Sequence, residues 1–117
     1  PSIALATNSS SMSAIGNDYG YDQVFARELR AVAGPHDVFV PITTSGNSPN
    51  ILAAVKVAQE ISIRTMGFTG EGGGKLAALC PCLRVPSSRT ERIQEGHILL
   101  GHILCAQVET AYFKGQT

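Results

Sequence analysis

Four short apolar runs alternate with stretches of helical spacing, and that alternation constrains the fold more than any other feature of the chain. The runs are Ile3 to Thr7 (IALAT), Asp37 to Ile42 (DVFVPI), Ile63 to Thr69 (IRTMGFT) and Cys82 to Val85 (CLRV), each of strand length. Helices are expected between and after them. Asn8-Ser9-Ser10-Ser11 carries side chains that accept from free helix N–H groups, which predicts a short helix from Ser9 to Ile15, closed by a turn at Asn17-Asp18-Tyr19-Gly20. Val24, Phe25, Leu29 and Val32 recur at helical spacing, so a second helix should run from Tyr21 to about Val32 and stop at Gly34-Pro35. A third is expected from Pro49 to Gln59, with Pro49 suited to the first turn. Lys75 to Leu79 should form one or two turns, and a long helix should begin at Ser88 or Arg89 and run to about Tyr112. Pro41 lacks a ladder donor and marks a strand end. Strand alternating with helix predicts an α/β domain of right-handed βαβ units: a parallel sheet with helices on both faces. No linker, repeat or low-complexity segment divides it, so residues 1–117 read as one domain. The chain opens inside a strand-like run with no capped element before it, as a domain entered midway would.

Composition narrows the function. Apolar residues make up 44% of the 117, enough for a core. Nine Lys and Arg balance nine Asp and Glu, and no basic run supplies the patch that nucleic-acid binding needs. The apolar stretches end well short of the roughly 20 residues of a membrane helix, and the first residues do not read as a secretory leader. A cytoplasmic protein is the expectation. Three cysteines (Cys80, Cys82, Cys105) are too few and too oddly spaced for a disulfide framework or a C-x-x-C zinc ribbon, so they read as buried or free thiols in a reducing compartment.

The segment with the clearest chemistry is Thr43-Thr44-Ser45-Gly46-Asn47-Ser48, between a strand and a helix. Ligands of open α/β sheets bind at the carboxyl ends of strands, where the next helix offers unpaired N–H groups. Hydroxyls at Thr43, Thr44, Ser45 and Ser48 exceed what one helix cap can use, and Gly46 lets backbone approach closely, so the loop reads as a phosphate site. Gly70-Glu71-Gly72-Gly73-Gly74-Lys75 matches neither nucleotide-binding glycine pattern. No nucleotide is expected there; it reads as a mobile turn, with room for a supporting role beside a ligand. On the last helix Glu91, Gln94 and His102 share a stripe, whereas His97 lies on another face. Gln94 and His102 stand about 12 Å apart along the axis and so make no compact ligand pair. His36, His97 and Cys105 are read as ordinary structural residues.

In order, these segments resemble the sugar isomerase (SIS) domain, and within it the phosphoheptose isomerases. The resemblance rests on Ile3 to Thr7, Gly16-Asn17-Asp18-Tyr19-Gly20-Tyr21, the 43–48 loop, Thr69-Gly70 through Gly73-Gly74, Arg84-Val85-Pro86, and Glu91-Arg92-Ile93-Gln94-Glu95 with His97 and His102. It implies a three-layer αβα sandwich of flavodoxin-like or Rossmann-like type. It also implies that Thr43, Thr44, Ser45 and Ser48 hold a sugar phosphate, that Asn17 and Asp18 contact the sugar end, and that Gln94 and His102 reach the same pocket. In zinc-containing members the positions of Gln94 and His102 are metal ligands, while Glu91 and His102 are the candidate catalytic groups. The implied reaction interconverts sedoheptulose 7-phosphate and D-glycero-D-manno-heptose 7-phosphate, a precursor of ADP-heptose and the lipopolysaccharide core, in homotetramers with sites at subunit interfaces. The family's glycine-rich CGNGGS-type loop and a helix bearing a His and a partner Glu precede the segment matching Pro1 and are not in this sequence. An Asp of the family is Asn8 here. The domain is therefore expected to be partial, without its N-terminal helices and first strand, and inactive alone. Two non-catalytic alternatives share the fold: a protein binding a replication initiator, and a sugar-phosphate sensor.

Overall fold

The computed structural model describes residues 1–114. Helix α1 (Ser9–Tyr19) begins where Asn8 Oδ1 accepts from Ser10 and Ser11 N–H, both at 3.1 Å. It runs one turn past the expected stop at Ile15, because the chain first turns out of the helix at Gly20 with φ 88°. Asn17 and Asp18 therefore lie in a helix and not in a turn. A single 3₁₀ turn (Tyr21–Gln23) leads into α2 (Val24–Val32), where Val24, Ala26 and Leu29 are buried and the expected Val32 is exposed. Helix α3 spans Pro49–Glu60 and α4 spans Thr90–Lys114, while Leu76–Ala78 forms a 3₁₀ turn.

The strands are β1 (Val38–Phe39), β2 (Arg64–Thr65), β3 (Gly67–Gly70) and β4 (Cys82–Val85), and all pairing is parallel. β1 lies beside β2, and β3 beside β4. Pro41 breaks the ladder as its missing N–H requires, but the chain does not leave the sheet there. A parallel bridge at Ile42–Phe68, with Phe68 N–H on Pro41 O (2.9 Å) and Thr43 N–H on Phe68 O (3.0 Å), carries the pairing across the break. Residues 38–43 thus run along 64–70, which run along 82–85.

Ile3 to Thr7 does not form the expected strand. It turns at Leu5-Ala6, with Ala6 at φ 67°, and leaves Ile3 68% exposed. An apolar run becomes a strand only beside a neighbour that pairs with it. Here Ala6 N–H instead donates to Glu28 Oε2 of α2 (2.5 Å).

The two faces of β3 show why the domain has three layers. Successive residues of a strand point to opposite sides. Phe68 meets His97 of α4 and Gly70 meets Ile93, whereas Gly67 faces Leu76, which belongs to the core built with α2 and α3. That core joins Ala26, Leu29, Phe39, Ala54, Val55, Val57, Ala58, Ile63 and Leu76. Each large side chain buried there contributes roughly 1.5–3 kcal/mol.

Only Ile93 and His97 of α4 are buried. The remaining length projects from the body, and the radius of gyration of 14.9 Å exceeds the roughly 13 Å of a compact domain this size. Ile98, Leu99, Ile103, Leu104, Val108, Tyr112 and Phe113 are exposed along it. Among the described residues, no helix is long and apolar enough to cross a membrane.

Candidate functional site

The 43–48 loop leaves the carboxyl end of the first sheet segment and enters α3. Thr43 Oγ1 and Ser48 Oγ lie 2.8 Å apart, so one donates to the other and the acceptor keeps its own proton for a ligand. Ser48 is the N-cap by position, yet its side chain makes no capping bond. The N-terminal end of α3 therefore still offers donors, and the helix dipole favours an anion there. Ser45 Oγ accepts from Asn47 N–H at 3.1 Å, which curls the loop around Gly46. Thr43 is buried, Thr44 and Ser48 are half-buried, and Ser45 is exposed. The structure thus brings all four hydroxyl residues into one short, folded loop.

The glycine-rich turn has a larger part than expected from the sequence. Lys75 N–H donates to Asn47 Oδ1 (3.0 Å), Leu76 N–H to Gly46 O (3.0 Å), and Gly70 N–H to Thr44 O (3.0 Å). The turn is pinned to the 43–48 loop on one side, and Glu71 N–H reaches Ser87 O (3.2 Å) on the other. Asn47 and Gly73 are site-building residues that the sequence reading did not single out. The available signal was the pairing of two glycine-containing loops after adjacent parallel strands.

The other expected site residues are all exposed. Asn17 and Asp18 are exposed in the last turn of α1, joined to each other by Asn17 Nδ2 donating to Asp18 Oδ1 at 2.8 Å. Glu91 is exposed and ion-paired with Arg89. Gln94 and His102 are exposed on α4. No hydrogen bond joins any of these five to the 43–48 loop among the described residues. Zinc needs three or four ligands, and no group of three or more His, Cys, Asp or Glu gathers among the described residues. Gln94 and His102 alone do not fit the ion, which would need ligands from outside them.

His97 has an unusual position. It is 6% exposed, its ring lies 6.0 Å from that of Phe68, and its Nε2 is buried without a hydrogen-bond partner among the described residues. The i, i+4 step from Ile93 already placed it on the buried face. An unpaired buried polar atom costs about 1–3 kcal/mol. His97→Leu is accordingly expected to raise the unfolding free energy of the chain by about 1 kcal/mol in a urea titration. A loss of that size would show that Nε2 has a partner.

The cysteines take no part in the loop. Burial, with the Cys82 thiol beside it, pushes the Cys80 thiol up from 9.0 to about 11, so it stays protonated and unreactive near neutral pH.

Comparison with known proteins fits this arrangement. A family model described as SIS domain matches residues 1–70. The chain belongs to the SIS domain family. This SIS chain is 51% identical over 117 residues to the phosphoheptose isomerase of Aneurinibacillus thermoaerophilus, covering 99% of itself and 59% of that protein. It is 50% identical over 112 residues to that of Rhodospirillum rubrum, covering 95% of itself and 60% of the relative. The solved phosphoheptose isomerase of Neisseria gonorrhoeae superimposes with a TM-score of 0.87 at 48% identity, over 91% of this chain and 61% of that one. The Francisella tularensis enzyme gives 0.86 at 40% identity, over 91% and 58%. The SIS chain thus spans about three fifths of the length of these relatives, and its parallel α/β architecture is theirs.

Proposed function

We propose that the chain is the phosphate-holding part of a phosphoheptose isomerase, acting on sedoheptulose 7-phosphate to give D-glycero-D-manno-heptose 7-phosphate for ADP-heptose and lipopolysaccharide core synthesis in the cytoplasm. The observation that carries this reading is the folded hydroxyl loop at the N-terminus of α3, in a chain about half identical to phosphoheptose isomerases. The 7-phosphate sits against Thr43, Thr44, Ser45 and Ser48, held by hydroxyls and helix N–H groups instead of lysines. Anchoring one end of a seven-carbon chain sets which carbons meet the catalytic groups. Asn17, Asp18 and Gln94 bind the sugar end.

The reaction moves a proton between C1 and C2 through an enediol. A base takes a C1 proton of the ketose as the C2 oxygen gains a proton, giving the enediol; the C1 hydroxyl then loses its proton as C2 gains one, which leaves the aldehyde at C1. His102 serves as one half of this acid/base pair, since an imidazole titrates near neutral pH. Glu91 is the acidic neighbour on the same helix stripe. The second base comes from outside these residues, as does whatever brings His102 against the loop. A second copy packed on the apolar length of α4 would bury Ile98, Leu99, Ile103 and Leu104, and we propose a homotetramer with its sites at such interfaces.

Conversion of sedoheptulose 7-phosphate by the complete gene product tests the reading, and the 117 residues alone should give no turnover. Ser45→Ala should raise KM for the phosphorylated sugar about tenfold, with less change in kcat. A complete product that binds sedoheptulose 7-phosphate without converting it would instead make this a sugar-phosphate sensor.

A further inference from the structure

Arg84 lies on β4, and nothing in the proposed reaction uses it. It stands in register with Thr69 of β3, as Cys82 does with Gly67. Side chains alternate along a strand, so residues 82 and 84 share one face of the sheet. Val85 takes the other face, where a methyl group added at Gly96 of α4 would meet it. Arg84 is thus on the face where Gly67 meets Leu76, the face on which the glycine-rich turn folds back.

The guanidinium ends against Gly73. A methyl group added there would come within 2.9 Å of Arg84 Cζ and 3.0 Å of its Nε, so these atoms fill the space that a side chain at residue 73 would need. Gly73 in turn faces the hydroxyl loop, since a methyl group on Gly46 would run into its carbonyl group. The three groups form a stack: Gly46, Gly73, guanidinium. Gly73 (φ 70°) and Gly74 (φ 54°) both hold a left-handed conformation, and two glycines in succession lose much chain freedom to do so. One side of their turn is tied to the loop by Lys75 N–H on Asn47 Oδ1 and Leu76 N–H on Gly46 O. Arg84 closes the other side, from a strand that is itself paired along its length.

We propose that Arg84 is a positioning residue for phosphate binding: its guanidinium backs the turn at Gly73 and so holds the 43–48 loop in its anion-binding shape. This rests on the reading of that loop as the phosphate site. Arg84 acts through Gly73 and Gly46, not by touching the substrate. Its side chain is exposed, so its loss should weaken the site more than the core.

The test uses the complete gene product and reads KM and kcat for sedoheptulose 7-phosphate together with the calorimetric Kd of inorganic phosphate. Arg84→Ala should raise KM and the phosphate Kd in parallel, by about fivefold to tenfold, with kcat held within about threefold. Arg84→Lys places Cε and Nζ where Nε and Cζ stood, and should return both constants to within about threefold of wild type. The effect of Arg84→Ala should persist in about 0.5 M sodium chloride, where charge acting through solvent is screened. Wild-type constants in Arg84→Ala, a lower melting temperature with neither constant changed, or a difference that vanishes at high salt would overturn the proposal. If circular dichroism shows Arg84→Ala unfolded, Arg84→Gln, which ends at the Nε position, takes its place with the same outcomes. The isomerase reading fails separately: a wild type that bound phosphate but left the sugar unconverted would reject that reaction, while the phosphate Kd would still decide the role of Arg84. A wild type that bound no phosphate would overturn both.

Discussion

Gly46→Ala is expected to destabilise the chain by about 2–4 kcal/mol and to erase sugar-phosphate binding. Gly46 has φ 68°, a conformation that costs an L-residue about 1 kcal/mol or more before any contact is counted. A methyl group there would also run into the backbone of Gly73 and Gly74. These are main-chain atoms of the neighbouring turn, held by Lys75 N–H on Asn47 and Leu76 N–H on Gly46. Neither loop can yield without breaking those bonds and spoiling the hydroxyl geometry between Thr43 and Ser48. For a domain of this size the melting temperature should fall by roughly 10 °C or more. Gly72→Ala is the control. A methyl group at Gly72 meets nothing within 4 Å, so its effect should stay within about 0.5 kcal/mol. If Gly46→Ala melted with the wild type and was still stabilised by sedoheptulose 7-phosphate, contact between the two loops would not be what shapes the site.

The second large effect is expected at His102. In the complete gene product, His102→Ala should lower kcat by about 10²–10⁴-fold, the usual contribution of a positioned acid or base. KM should change much less, because the phosphate anchor lies elsewhere. Stability of the 117-residue chain should be unaffected within about 0.5 kcal/mol, since the side chain is exposed. This combination separates a catalytic role from a structural one. Wild-type kcat in the variant would remove His102 from the mechanism.

Much of this architecture was legible from residue order. Of the positions that signalled α2, Val24 and Leu29 are buried and Phe25 half-buried, while Val32 is exposed, and Pro49 opens α3 as its ring geometry favours. The misread segments share a cause. Ile3 to Thr7 has a strand's composition but pairs with no strand among the described residues, and Ala6 N–H bonds instead to Glu28 on α2. Pro41 signals a strand end by its chemistry, yet Ile42 resumes pairing with Phe68 because the neighbouring strand continues past the break. Residues 17–20 look like a turn, but Asn17 and Asp18 stay helical until Gly20 adopts a positive φ.

Sequence alone determined the α/β class, helices α3 and α4 to within two residues at either end, and the place of the 43–48 loop between a strand and a helix, because each depends on spacing and side-chain chemistry over a few neighbouring positions. Tertiary structure decided the rest. The pinning of Asn47 by a turn 28 residues further on, the burial of His97 against Phe68, and the exposure of Gln94 and His102 all depend on which surfaces meet in space. Local periodicity specifies the face that a helix presents. What that face meets is settled only when the layers pack.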